Sequence, residues 1–346
     1  MTKLTDMKRE KNSSQAQWEY LLEVEDLTTY FITKAGTGKA VDGVSFRLKQ
    51  GEILGLIGES GSGKSVAVKS IMQIVPKPGR IVAGKVLFKG ENLLGDSKAI
   101  HRVRGKDITM IFQEPMTSLN PVLTIGRQMT EGIMLHLHLK QKQAEEIACK
   151  YLEMVKIPNP KEILSRYPHH LSGGMRQRVM IAMALETNSS LLIADEPTTA
   201  LDVTIQQQIL SLIRELRDRL NMGVIFITHD MGVINEISDN TAVMYCGKIQ
   251  EYASTRELMK NPLHPYTQAL IQAIPRIDTE QEQLHTIPGS VPSLLNLPAG
   301  CSFSNRCQYA CEQCRNETPE LYDTGDGHLV RCWRYADTST KEGEDQ

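Results

Sequence analysis

The chain has 346 residues, 40% of them apolar, which suffices for one large α/β domain and a smaller appendage. A formal charge of −2 excludes a partner held by bulk electrostatics, nucleic acid above all, and no apolar run approaches the ~20 residues that cross a bilayer. The charged, polar stretch Met1 to Tyr20 lacks the apolar core of a signal peptide, so a cytoplasmic chain is expected, with any membrane role reached through partners.

Residues 1–19 are polar and aperiodic and read as disordered. A β pattern starts at Leu21-Leu22-Glu23-Val24, resumes from Leu27 to Ile32, and alternates from Val41 to Leu48 as a half-buried strand would. Tyr30 and Phe31 end the first hairpin strand, where an aromatic ring could stack on a nucleotide base or fill a core.

Ile53-Leu54-Gly55-Leu56-Ile57 then reads as a buried parallel strand, followed by Gly58-Glu59-Ser60-Gly61-Ser62-Gly63-Lys64-Ser65 and a helical run from Val66 to Ile74. The pattern G-x-x-x-x-G-K-S between strand and helix is that of a phosphate-binding loop. Its glycines let backbone N–H groups close on an anion that a Cβ would push away, with the helix N-terminus aimed at the same point. Lys64 would reach the β- and γ-phosphates and the Ser65 hydroxyl would bind Mg²⁺.

Further strands are expected at Gly84 to Gly90 and at Ile108 to Phe112, the latter ending at Gln113. From 114 to 187 prolines separate helical patterns, the clearest from Gln143 to Val155, so this stretch reads as a helical insert. Leu171-Ser172-Gly173-Gly174-Met175 opens a helix through Leu185, with Ser172 as cap and two glycines leaving N–H groups open to an anion. The adjacent His169-His170 could suggest a metal, but neighbours rarely point at one ion, and solvated loop histidines are the expectation. Leu191-Leu192-Ile193-Ala194-Asp195-Glu196 is an apolar strand running into two carboxylates, the way such an ATPase presents one to Mg²⁺ and one to water. Val224 to Thr228 is another buried strand, ending at His229-Asp230. Ligand sites of α/β sheets lie at strand C-termini, where these polar residues fall.

This ordered set, the loop 58–65, Gln113, Leu171-Ser172-Gly173-Gly174, Asp195-Glu196, Ala200-Leu201-Asp202 and His229, resembles the ATP-binding subunit of an ABC transporter over nearly the whole chain from Leu21. Tyr167-Pro168-His169-His170-Leu171-Ser172-Gly173-Gly174-Met175-Arg176-Gln177-Arg178 is similar to the oligopeptide/dipeptide importer group. So are Asn261-Pro262-Leu263-His264-Pro265-Tyr266-Thr267 and Gly300-Cys301-x-Phe303-x-x-Arg306-Cys307. Two departures stand out: Met175 in place of the usual Gln, and His170 where an acid is common, the second with no physical account.

The resemblance implies an α/β fold: a phosphate-loop ATPase domain with RecA-like core, antiparallel β subdomain and helical subdomain, plus a small C-terminal cysteine-rich module. It implies boundaries at 20–260 for the ATPase, about 114–187 for the helical subdomain, and 261–346 for the extension. Two such subunits would clamp two ATP molecules head to tail, one subunit's phosphate loop (Gly58, Ser60, Gly61, Ser62, Gly63, Lys64, Ser65) facing the other's Ser172, Gly173, Gly174 and Asp202. Mg²⁺ would be held by Ser65 and through water by Asp195, with Gln113 close by; Glu196 would polarise the attacking water and His229 hold the γ-phosphate. Phe31 matches the base-stacking aromatic. Implied partners are a second ATPase subunit, identical or more often a paralogue, two transmembrane permease subunits, and an extracytoplasmic solute-binding protein, at the cytoplasmic face of the membrane. The implied function is ATP hydrolysis that energises peptide import; nickel, an opine or another solute is the alternative cargo. A further alternative is a soluble non-transport ABC ATPase, a class that tends to carry two cassettes or a long coiled coil, whereas this chain has one set of motifs and no sustained heptads.

Five of the seven cysteines crowd into Cys301-x5-Cys307-x3-Cys311-x2-Cys314-x17-Cys332, while Cys149 and Cys246 read as small core residues. In a reducing compartment such a cluster suggests metal ligation. Four thiolates suit Zn²⁺. The resemblance implies instead a [4Fe–4S] cluster on Cys301, Cys307, Cys314 and Cys332, leaving Cys311 as a spare thiol.

Overall fold

The computed structural model describes residues 18–113, 118–199, 201–274 and 287–340, the last four by backbone only. Most of the segment expected to be disordered, residues 1–17, lies outside the described residues, as does Ala200 of the Ala200-Leu201-Asp202 motif.

β1 (Leu22–Thr33) and β2 (Gly36–Leu48) form a hairpin, and β3 (Ile53–Ile57) then runs through the phosphate loop into α1 (Lys64–Ile71). The two short β patterns around Leu21 and Leu27 are one long strand, because a register shift between Val24 and Leu27, with Asp26 in a left-handed conformation (φ 48°), absorbs the break in alternation. β4 (Gly79–Phe88) and β5 (Glu91–Asn92) return to the hairpin, giving an antiparallel sheet in the order β2-β1-β4-β5.

α2 (Ser97–Val103) leads to β6 (Ile108–Ile111), and the helical insert follows as α3 (Ile125–Leu137), α4 (Gln141–Met154), α5 (Pro160–Ser165) and α6 (Gly173–Leu185). On α4 the buried residues Ala144, Ala148, Tyr151 and Leu152 make one face, the spacing that turns an amphipathic helix onto its neighbours. Then come β7 (Leu191–Asp195), α7 (Val203–Leu220), β8 (Gly223–Thr228), α8 (Met231–Ile237), β9 (Asn240–Tyr245) and β10 (Lys248–Ser254). β3, β6, β7, β8 and β9 are parallel and β10 turns back against β9. Every residue of β3, β7 and β8 is buried, as strands covered on both faces must be.

The C-terminal part does not stand apart from this sheet. After α9 (Thr255–Lys260), α10 (Pro265–Gln272) and α11 (Glu312–Asn316), β11 (Tyr322–Asp323) and β12 (Leu329–Val330) extend it in the order β11-β12-β10-β9-β3-β8-β7-β6. Phe303 is buried against Tyr245 and Tyr266, with ring centroids 5.4 and 5.3 Å away, so the cysteine-bearing loop borrows the core of the main domain. Glu251 of β10, fully buried, accepts from the amides of Leu263 (2.7 Å) and His264 (2.9 Å) and pairs with His328 Nε2 (2.8 Å). Three contacts between a buried carboxylate and the tail would be costly to leave unmade, which is what holds the extension in register.

Candidate functional site

The phosphate loop closes because glycines stand where no side chain fits. A Cβ on Gly63 would lie 2.2 Å from the Ala40 carbonyl oxygen, and Gly63 has φ 105° as the residue that caps α1. Gly247, in the turn between β9 and β10, donates its N–H to the Ser62 carbonyl at 2.9 Å and so supports the loop from behind. Lys64, 5% exposed, points its ammonium back along the loop to the carbonyls of Gly58 (2.7 Å) and Glu59 (3.0 Å). Burial pulls its pKa down, while Glu196, Asp195 and Glu59 act in the opposite sense. The three carboxylates favour the charged form of this buried ammonium, and burial opposes it.

Facing the loop, β7 delivers Asp195 and Glu196. Ser65 Oγ donates to Asp195 Oδ1 at 2.9 Å, and Asp195 is 2% exposed. Burial raises the Asp195 pKa against the pull of the Ser65 hydrogen bond and of Lys69 and Lys64. Glu196 turns the chain with φ 49°, and its amide donates to the Ile227 carbonyl at 2.9 Å. That turn aims its carboxylate toward Gln113 Nε2 and Thr199 Oγ1, each 3.0 Å from Oε2, and toward His229 Nδ1, 3.4 Å from Oε1. Gln113, Glu196 and His229, each at the end of a different strand (β6, β7, β8), therefore meet around one carboxylate. Thr199 is a partner the sequence reading missed; a hydroxyl three residues after Glu196, in a turn, was the available signal.

Ser60, Gly61 and Ser62 lie in the loop between these groups, with Ser62 N–H closing a turn on the Glu59 carbonyl at 3.1 Å. Phe31 lies on β1 against Gly79, with ring atoms 3.0 Å from where a Cβ there would sit. Its neighbour Tyr30 is committed elsewhere: the hydroxyl donates to Asp42 Oδ1 at 2.6 Å. Ser172, Gly173 and Gly174 form the N-terminus of α6, where Ser172 Oγ accepts from the Met175 amide (3.3 Å) and its carbonyl from the Arg176 amide (2.9 Å). Those bonds are local, and the nearest side chains to Gly173 and Gly174 are Leu201 and Ile205 rather than the phosphate loop. Asp202, exposed, caps α7 through the Ile205 amide (2.9 Å). The signature turn thus packs against the residues flanking Asp202, and the hydrogen bonds of Ser172 and Asp202 are local to their own helix starts.

Cys301, Cys307, Cys311, Cys314 and Cys332 line one cavity of about 270 Å³. The Cys301 amide donates to the Cys314 carbonyl at 2.8 Å, and Cys311 Sγ lies 3.4 Å from Cys314 Sγ. Among the described residues no group of three or more His, Cys, Asp or Glu side chains is gathered tightly enough to hold a metal ion. Cys246 is fully buried at the β9–β10 turn and Cys149 half-buried on α4. His169 and His170 are exposed; His169 stacks on Tyr167, and His170 meets both rings edge-on.

The chain matches the family described as ABC transporter over residues 41–199, and that described as oligopeptide/dipeptide transporter, C-terminal region, over 250–314. It is 48% identical to the oligopeptide transport ATP-binding protein AppD of Bacillus subtilis, across 93% of this chain and 99% of that protein. It is 49% identical to a probable peptide ABC transporter ATP-binding protein of Sinorhizobium fredii, across 93% and 97%. Among solved structures, a dimeric bacterial ABC transporter cassette superposes with TM-score 0.61 at 24% identity, covering 68% of this chain and 99% of that one. The Clostridium perfringens protein cbiO1, part of an ABC transporter complex, gives TM-score 0.61 at 26% identity, covering 70% and 92%. The α/β architecture expected from the phosphate loop is therefore the ABC cassette. With relatives this similar along almost its full length, the chain belongs to the ATP-binding proteins of the oligopeptide/dipeptide ABC transporter family.

Proposed function

We propose that the protein hydrolyses ATP to drive peptide import through a membrane ABC transporter, and that the carboxylate cluster at the ends of β6, β7 and β8 is its hydrolytic centre. The observation carrying this is Glu196, whose Oε2 is held by Gln113 and Thr199 while Oε1 faces His229. A carboxylate fixed beside the phosphate loop can orient a water and accept its proton. Lys64 and the loop amides of Gly58, Ser60, Gly61, Ser62 and Gly63 take the phosphate charge, His229 holds the γ-phosphate, and Phe31 stacks on the base. Mg²⁺, when bound, screens that charge; the oxygen donors Ser65 and Asp195, already 2.9 Å apart, suit it, with Gln113 alongside. Ser172, Gly173, Gly174 and Asp202 serve the nucleotide of a second ATPase subunit, in keeping with hydrogen bonds of Ser172 and Asp202 that reach only their own helix starts.

The division into an ATPase unit (20–260, with a helical part near 114–187) and an extension (261–346) follows the same reading. Peptide is the cargo because the relatives named above are oligopeptide or peptide transport proteins along almost this whole length. Two permease subunits and an extracytoplasmic binding protein complete the machine. Among the described residues no helix is long and apolar enough to cross a membrane. In this reading the permeases make the crossing and this subunit lies at their cytoplasmic side.

Cys301, Cys307, Cys314 and Cys332 hold a [4Fe–4S] cluster in this reading. All four line one cavity, and an all-thiol donor set suits iron–sulfur chemistry or Zn²⁺. The group supplies cross-links to a segment with little regular structure, and no step of hydrolysis passes through it. Purifying the protein with the permeases and measuring ATP-dependent uptake into vesicles tests the function. Uptake of di- or oligopeptides supports it, whereas uptake of nickel with no peptide transport overturns the cargo, and hydrolysis independent of any permease overturns the transport role.

A further inference from the structure

Glu59, the second residue of the phosphate loop, is gripped at three points. Its carbonyl accepts from Lys64 Nζ (3.0 Å), and its amide donates to the Tyr266 hydroxyl of α10 (2.8 Å). Its carboxylate takes a two-pronged hydrogen bond from Arg306, Nη1 to Oε2 at 2.6 Å and Nη2 to Oε1 at 3.1 Å. Arg306 comes from the cysteine-bearing loop 301–307, directly before Cys307. Its side chain is 3% exposed, and its remaining donors reach the Pro288 carbonyl (2.8 Å), the Ile287 carbonyl (3.2 Å) and the Tyr245 hydroxyl (3.3 Å). That loop is itself wound by turn hydrogen bonds, Ser304 to Cys301 and Arg306 to Phe303, both 2.9 Å.

A buried, fully partnered guanidinium clamped on a carboxylate two-pronged is both strong and directional. Glu59 is also one of the carboxylates that act on the Lys64 ammonium. Left without its counter-ion, Glu59 would compete for Lys64 and repel an anionic ligand in the same loop. We propose that Arg306 is a positioning residue of the ATP site: it neutralises Glu59 and fixes the first turn of the phosphate loop, making the cysteine loop part of the nucleotide site. Because coupling between sites is reciprocal, nucleotide bound at the loop must in turn steady residues 301–307. The inference rests on the phosphate loop holding ATP.

The test is calorimetric binding of ATP with Mg²⁺ to the purified full chain, with amide exchange of 301–307 read in parallel. Arg306→Gln should weaken binding about tenfold or more, since it leaves a carboxylate unpaired. Arg306→Lys should recover part of that loss by restoring the charge. Glu59→Gln combined with Arg306→Gln should return affinity to within about threefold of the parent, because no stray charge remains. In the parent, Mg-ATP should slow exchange across 301–307, and in Arg306→Gln it should not. Unaltered affinity in Arg306→Gln overturns the proposal, and so does a double variant as weak as the single one. If Arg306→Gln does not fold, absence of nucleotide-dependent protection in the parent overturns it without any variant. A parent chain that binds ATP no better than Lys64→Ala defeats the ATPase reading instead.

Discussion

Ser65 Oγ and Asp195 Oδ1 are 2.9 Å apart although 130 positions separate them in the chain. One stands at the N-terminus of α1, the other at the C-terminus of β7, and the parallel sheet brings the two ends to the same edge. An oxygen pair of this kind at the mouth of a phosphate loop is where a hard cation is held and where phosphate charge is compensated. The hydrolytic reading radiates from that edge, and its consequences can be measured.

Glu196→Gln should keep ATP binding and lose turnover by about 10²-fold or more, because the amide preserves shape without a proton-accepting charge. Steady-state hydrolysis by the assembled transporter, beside nucleotide binding, reads the two separately. Near-parental turnover would remove Glu196 from its role.

Lys64→Ala and Ser172→Arg should separate the two halves of a shared site. Lys64 is proposed to answer phosphate within its own chain, so its loss should weaken binding to the isolated subunit by about tenfold or more. Ser172 is proposed to serve the nucleotide of a second subunit, so Ser172→Arg should spare that binding and stop hydrolysis in the complex. Equal loss of affinity in both variants would contradict a nucleotide shared across subunits.

Glu186, at the C-terminus of α6, gives a pH signature. It is 5% exposed, its Oε2 has no hydrogen-bond partner, and burial raises its pKa to about 9 from an ordinary 4.5. Below pH 4.5 the carboxyl is protonated whether the chain is folded or not, and no penalty arises. As pH rises from there toward 9, the unfolded chain releases the proton and the folded one keeps it, so stability falls across that window. Glu186→Gln removes the titration. Its advantage in unfolding free energy over the parent, read by denaturant unfolding, should grow from pH 5 to pH 8 by a few kcal/mol at most, on the order of 1.4 kcal/mol per pH unit. An equal advantage at both ends of that range would mean that the carboxyl is not held protonated.

For the tail, anaerobically purified protein should be brown and carry about four irons per chain. Cys314→Ser should lose the iron and lower the stability of the tail, while Cys311→Ser should keep both. Colourless protein with stoichiometric zinc would overturn the cluster assignment; loss of colour in Cys311→Ser alone would overturn only the choice of ligands.

Much of this protein was legible in the chain itself, for local reasons. A phosphate loop needs glycines at fixed offsets, a buried parallel strand needs a short apolar run, and a helix start needs a cap, so 53–65, 171–185 and 191–196 announce themselves within about ten residues each. The hairpin was blurred because a bulge at Asp26 breaks alternation without ending the strand. What the tertiary structure alone decided are contacts whose partners share no local pattern. Thr199 joins Gln113 on Glu196, Glu251 binds the tail through His328, and Phe303 enters a core built by Tyr245 and Tyr266. The Arg306–Glu59 pair spans 247 positions, and neither residue carries a signal that names the other. Side-chain charge and period are written one residue at a time, whereas which buried donor meets which acceptor depends on how sheet order and loop length bring distant ends together.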